Sequence, residues 1–113
     1  MLIGDLSKTA GVTKEAIRHY MDIGLLKPTP KQAGSRLYND FSDTDIQRLK
    51  WIILGKSLGF TLSEIEHYLN LFMDDKLPQD KMMAMFKEKL EEIEMKIEQL
   101  ESIKKILISK LKK

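Results

Sequence analysis

The sequence predicts a mostly helical fold: four short helices and one hairpin form a small amino-terminal body, and a single long helix follows. Three observations predict it. Capping residues stand before apolar periodic runs at Thr13, Ser42 and Thr61. Between Lys27 and Asn39 two prolines and a Gly34-Ser35 pair interrupt the helical pattern. After Pro78 neither Gly nor Pro occurs again.

Each element has its own justification. Ile3, Leu6 and Ala10 lie at near-helical spacing and Gly11 supplies a stop, giving a first helix. Thr13 is placed to accept a hydrogen bond from the free amides of the next turn. Ile17, Met21 and Leu25 recur every four residues after it, predicting a second helix with one apolar side. A helix-turn-helix over about residues 3–22 is thus expected. Over about 27–40, Pro28 and Pro30 forbid helix, Gly34-Ser35 marks a reversal, and Arg36-Leu37-Tyr38 favours an extended strand: a hairpin, or wing. Ser42 with Asp43 and Asp45 opens a third helix carrying Ile46, Leu49, Ile52 and Ile53 inward and ending near Gly59. Thr61 to Glu64 forms a capping box, and Phe60 and Ile65 occupy the positions of a hydrophobic staple. A fourth helix is therefore expected from about Leu62 to Phe72, completing a helical pair over about 43–73.

The segment from Asp74 to Pro78 breaks that helix and separates a body of residues 1–75 from a last helix over 78–113. About 33 residues at about 1.5 Å each make a rod near 50 Å, longer than the small body beside it. It must protrude or find a partner. Phe86, Leu90, Ile93, Ile97 and Leu100 alternate gaps of four and three, the seam of a coiled coil, with Glu and Lys on the other faces. The same count puts Lys104 on the seam as a polar interruption that can help fix register, before Leu107 and Leu111 restore the stripe. Pairing with a second copy is the direct implication. The repeat alone leaves the direction of the two helices open.

Composition narrows the function. At 113 residues and 42% hydrophobic, the chain suits one small domain with a modest core. No run reaches the roughly 18 apolar residues of a membrane helix. Met1-Leu2-Ile3-Gly4-Asp5 lacks the features of a secretory signal, so a cytoplasmic, nucleoid-associated protein is expected. Zero cysteines exclude a disulfide framework and a thiolate metal site. Residues 1–60 carry nine Lys/Arg against six Asp/Glu, whereas residues 61–113 carry ten against eleven. That slight amino-terminal excess alone would not mark a nucleic-acid binder. The local pattern does: a capped, cationic, aromatic-bearing helix, Thr13 to Tyr20, stands just before a basic hairpin, which suits a DNA groove.

Ile3-Gly4-Asp5-Leu6, Gly11-Val12-Thr13, Ile17-Arg18-His19-Tyr20, Gly24-Leu25-Leu26, Arg36-Leu37-Tyr38 and Leu58-Gly59-Phe60-Thr61-Leu62-Ser63-Glu64-Ile65 resemble, in order and spacing, the amino-terminal domain of bacterial MerR-type transcription regulators. The match spans essentially residues 2–70. The resemblance implies a winged helix-turn-helix, a second helical pair and a long dimerisation helix that pairs as an antiparallel coiled coil. It further implies a homodimer on a pseudo-palindromic promoter operator. Such a dimer bends and untwists the spacer between the −35 and −10 elements, realigning them for RNA polymerase.

Residue roles follow individually. Thr13 and Lys14 open the second helix, where free amides favour phosphate and the first turn reaches base edges; Thr13 is equally a plain cap. Arg18 offers a planar fork to phosphate or guanine. His19 stands where the family most often has tyrosine or phenylalanine, and is either a DNA contact or a surface histidine. Tyr20 matches a family tyrosine whose ring packs under the helix and whose hydroxyl reaches phosphate. Arg36 and Tyr38, two apart on a strand, share a face suited to a phosphate ridge, or brace the hairpin. Lys31 nearer the loop adds non-specific attraction. Lys56 stands where the family often has a basic residue near the flanking backbone, and Trp51 is read as packing. Phe86, Leu90, Ile93, Ile97, Leu100 and Leu107 are the expected dimerisation residues.

Neither a cofactor nor a metal is expected. The cysteines that metal, redox and aldehyde sensors of the family use are absent, and His19 and His67 are isolated in sequence. Met82, Met83 and Met85 are read as gap-filling packing. No nucleophile with a nearby base and no glycine-rich phosphate loop argues for catalysis. The rival functions are a DNA-architectural or excisionase-like protein and a protein-interaction adaptor on the same fold.

Overall fold

A computed structural model of the protein describes residues 1–74 and 78–112. The expected break at Asp74 to Pro78 lies in part, at residues 75–77, outside the described residues. The chain divides into two compact units, Met1–Asp75 and Lys76–Lys113.

The first unit runs α1 (Ile3–Ala10), α2 (Lys14–Asp22), β1 (Thr29–Ala33), β2 (Arg36–Asp40), α3 (Asp43–Ser57) and α4 (Leu62–Met73). Helix α1 stops at Gly11, whose φ of 71° is open to glycine at little cost and lets its N–H return to the Ser7 carbonyl. Thr13 caps α2, its hydroxyl accepting from the Ala16 amide at 3.1 Å.

One expectation needs correction here. Ile17, Met21 and Leu25 do not lie along one helix, because α2 ends at Asp22 and Gly24 turns the chain with φ 80°. The buried side of α2 is Ile17 and Tyr20; Leu25 and Leu26 are delivered to the core by the turn, both amides donating to the Tyr20 carbonyl. The core closes with Leu6 from α1, Phe41 after β2, and Leu49 and Ile52 from α3. Each of these buried apolar side chains contributes about 1.5–3 kcal/mol relative to exposure. Ile46 and Ile53, expected to face inward beside them, are half-buried on the flank of that stripe.

Helix α3 begins with a full capping box: the Ser42 hydroxyl accepts from the Asp45 amide, and the Asp45 carboxylate accepts from the Ser42 amide. Asp45 is 3% exposed, and its other oxygen accepts from the Lys27 amide at 3.1 Å. One turn on, Arg48 donates from Nε to the Leu25 carbonyl at 2.7 Å and from its terminal nitrogen to Asn70 Oδ1 at 2.8 Å. One face of α3 thus supplies an acceptor for Lys27 and a donor for Leu25, holding the chain where it leaves the helix-turn-helix.

Helix α4 has the predicted capping box at Thr61 and Glu64, with Phe60 and Ile65 both buried. It approaches α3 closely at Gly55, where a Cβ would meet Ile65 Cγ1 at 2.9 Å. Trp51 stacks on Phe72 with ring centroids 5.1 Å apart, a packing role across the same helix pair.

The second unit is α5 (Gln79–Leu111), an uninterrupted helix of 33 residues. Glu92 accepts from Lys89 at 3.1 Å and pairs with Lys96 at 3.4 Å, spacings that favour helix. Phe86, Leu90, Ile93, Ile97, Leu100 and Leu107 are all exposed in the single chain.

Asp45→Ala is expected to destabilise the first unit by about 2 kcal/mol, because two backbone amides at a buried point lose their acceptor. Urea unfolding followed by circular dichroism measures this; a change below about 0.5 kcal/mol would show that the carboxylate is dispensable.

Candidate nucleic-acid interface

Two local decisions of the sequence build the interface. The tight turn at Gly11 and the Thr13 cap set α2 against α1, and the two-residue Gly34-Ser35 loop, with Gly34 at φ 63°, sets the register of the wing. That register pairs Thr29 with Asp40, Lys31 with Tyr38, and Ala33 with Arg36. Residues directly opposite point to one face. Lys31, Arg36 and Tyr38 therefore share a face of the wing.

The wing's base is held from two sides. Lys27 before it and Ser42 after it both donate to the Asp45 carboxylate. The Met1 ammonium donates to Asp40 Oδ1 at 2.7 Å and to the Phe41 carbonyl at 3.1 Å, while the Phe41 amide returns to the Met1 carbonyl at 2.8 Å. That ammonium, with a weaker pull from Lys31, holds the Asp40 carboxyl below the ordinary aspartate value. Beyond the base, every residue from Thr29 to Tyr38 is exposed.

Between the wing and the first two helices lies a cleft of about 740 Å³, lined among others by Gly4, Arg18, Met21, Arg36 and Tyr38. The structure thus brings Arg18 and Arg36, eighteen positions apart, to one concavity. Both are exposed, and neither guanidinium is held by a hydrogen bond or ion pair among the described residues. Arg48 is the contrast: its fork is spent on Leu25 and Asn70. Two free, always-charged forks on either side of a cleft form an anion-gripping arrangement. Asp5 and Asp22 also reach the cleft, so the grip is directed by the two arginines and not by a uniformly positive wall.

The other predicted residues divide between exposed and engaged positions. Thr13 is engaged as a cap. Lys14 is exposed and its side chain lies over the start of α1, where a Cβ on Gly4 would stand 3.7 Å from its Cε. His19 is exposed, its ring 6.2 Å from that of Tyr20. Tyr20 is 4% exposed, a core ring; no buried side-chain oxygen lacks a partner among the described residues, so its unpartnered hydroxyl is the part that reaches solvent. Lys56 stands 6.0 Å from the centroid of that ring, joining the end of α3 to α2 through a cation–π contact. Lys31 lies directly across from Tyr38 on the wing. Counting back from the Gly34-Ser35 turn would have placed it opposite Tyr38. Arg48 carried no local signal, since its partners lie 23 and 22 positions away.

Comparison with known proteins decides the family. Residues 1–71 match the model of the MerR HTH family regulatory protein, and residues 46–109 match that described as MerR, DNA binding. The chain belongs to the MerR family. It is 32% identical over 107 residues to the HTH-type transcriptional regulator HmrR of Rhizobium leguminosarum bv. viciae, covering 95% of this chain and 81% of that protein. It is 36% identical over 107 residues to the mercuric resistance operon regulatory protein of Bacillus cereus, covering 94% and 79%. Among solved structures it resembles the transcription regulator PbrR691 of Ralstonia metallidurans CH34 in complex with lead(II), with a TM-score of 0.80 at 26% identity, covering 96% of this chain and 83% of that one. This is therefore a MerR-type transcription regulator carrying the family's DNA-binding region. No described helix is long and apolar enough to cross a membrane.

The Asp40 pair gives the wing of this MerR-type chain a pH dependence. Its carboxyl is lowered in the folded state, so its contribution is present above the unfolded value near about pH 4 and is lost as pH falls through the lower, folded value. In a chain beginning at Met1, carboxyl NMR should show Asp40 titrating below the ordinary aspartate value, with amide exchange at Phe41 accelerating over the same range. Asp40→Asn should abolish that acid-dependent step; an unchanged exchange profile would show that the pair does not hold the wing.

Proposed function

We propose that this MerR-type regulator binds a pseudo-palindromic promoter operator as a homodimer, through an antiparallel coiled coil of α5, and acts by bending and untwisting the spacer for RNA polymerase. The observation that carries the DNA side of this reading is the cleft between α2 and the wing, with Arg18 and Arg36 unpaired on its walls and Tyr38 beside them. Thr13, Lys14 and His19 stand on the exposed start and middle of α2, where a recognition helix meets base edges and phosphates. Tyr20 contributes its hydroxyl edge and Lys56 a flanking charge.

Dimerisation is supported by the exposed seam of α5. Leaving Phe86, Leu90, Ile93, Ile97, Leu100 and Leu107 in water forfeits burial that a second seam supplies. In an antiparallel pair running from Phe86 to Leu107, the midpoint falls near Ile97, so two copies of that residue approach the axis. A closed two-fold dimer then presents two copies of the α2 and wing surface to the two halves of an operator. Binding of DNA by a chain of this kind takes place in the cytoplasm, on the nucleoid, with no role for catalysis.

Arg18→Ala and Arg36→Ala are each expected to weaken operator binding about tenfold or more while leaving helicity and mass unchanged. Each should also flatten the salt dependence of log affinity by about one, the signature of a lost phosphate contact. Fluorescence anisotropy across a salt series on a selected operator measures both, and unchanged affinity would remove the residue from the interface. Ile97→Lys brings two like charges together at the middle of the seam. Sedimentation should then report a monomer that footprints no full operator, and a stable dimer would refute this packing of α5.

A further inference from the structure

The antiparallel register sorts the wing's side chains onto two faces. Lys31, Arg36 and Tyr38 share one, and Pro30, Gln32 and Leu37 share the other, because Gln32 pairs with Leu37 and Pro30 with Asn39. At the middle of the second face Leu37 is 76% exposed, the most open large apolar side chain of the first unit among the described residues. A lone exposed leucine on an ordinary surface needs no explanation. This one stands on a two-stranded ribbon that is held at its base and exposed along its length. Leu37 also borders the cleft between the wing and the first two helices. The amide of Gln32, directly across, turns away to donate to the Gly34 carbonyl at 3.1 Å, and Pro30 stands exposed on the diagonal.

The ribbon's reverse says what covers it. Lys31 and Arg36 call for a polyanion on that side. A recognition helix takes the major groove, so a ribbon beside it falls on the neighbouring minor groove, whose walls are phosphate and whose floor is sugar and base edge. Leucine and proline are among the side chains that wedge between base steps from that groove.

We propose that Leu37, backed by Pro30, enters the minor groove beside α2 and packs as an apolar wedge against deoxyribose and one base step, while Lys31 and Arg36 hold the flanking phosphates. The proposal rests on the DNA-binding reading of the cleft and wing. It gives the wing a share in deforming the operator as well as in gripping it.

The test uses the full chain and a duplex recovered by selection from random-sequence DNA, with 2-aminopurine placed in turn at each step beneath the wing. Wild type should raise the fluorescence at one step in each half of the duplex. Leu37→Ala should abolish that rise and weaken binding by about tenfold, the worth of burying a leucine, with thermal unfolding unchanged. Its salt slope should equal that of wild type, since no phosphate contact is lost, whereas Arg36→Ala lowers the slope. Leu37→Met should keep the rise. If wild type leaves the fluorescence flat at every step, or if Leu37→Ala matches wild type in fluorescence and affinity, the wedge is overturned and the DNA-binding reading stands. If wild type selects no duplex, the DNA-binding reading itself fails and the wedge falls with it.

Discussion

The arrangement of the amino-terminal unit depends on one buried carboxylate. Asp45 sits at the start of α3, where unpaired amides and the helix dipole favour negative charge, and its two oxygens accept from Lys27 and from Ser42. Those residues flank the wing. A loop whose two ends meet at one ion loses much of its freedom to shift, and the segment is fixed again by the Arg48 fork on Leu25. Donor and acceptor lie one turn apart on a helix that also buries Leu49 and Ile52 completely. The position of the wing relative to α2 is therefore set by the same helix that anchors the core.

So small a unit nonetheless keeps two arginines unpaired among the described residues, although Asp5 and Asp22 line the same cleft. A free guanidinium near a fold's own carboxylates normally finds one. Here Asp45 is satisfied by backbone amides and a hydroxyl, and Asp40 is engaged by the Met1 ammonium. The carboxylates nearest the wing's base are spent on architecture, and the donors of Arg18 and Arg36 stay exposed. Structural polar groups and the proposed binding groups are thus sorted by partner, not by residue type; Arg48 and Arg36 are the same side chain with opposite assignments.

Much of this was legible in the sequence because the signals were local. Caps at Thr13, Ser42 and Thr61, the Gly34-Ser35 reversal and the heptad seam each act within a few residues, and all appear in the structure as elements. What escaped was non-local or register-dependent. The bond from Asp45 to Lys27 spans eighteen positions, and those of Arg48 span more. Periodicity misassigned Leu25 to the side of α2 because a spacing of four reads the same whether the chain continues as helix or turns at Gly24 into the core. At the candidate site Tyr20 has its ring in the core, the packing that the resemblance implies for it.

The wing is clamped at its root and bare along its length, and this separates two kinds of change that chains usually have to trade against each other. Residues from Thr29 to Tyr38 carry little of the fold's stability, because none of them is buried. Outside the Gly34 turn, side chains there can change without threatening the core, whereas the Asp45 carboxylate and the Ser42 hydroxyl at the root cannot. A lineage built on this plan can rewrite the exposed face of a ten-residue ribbon at little cost to its foldability.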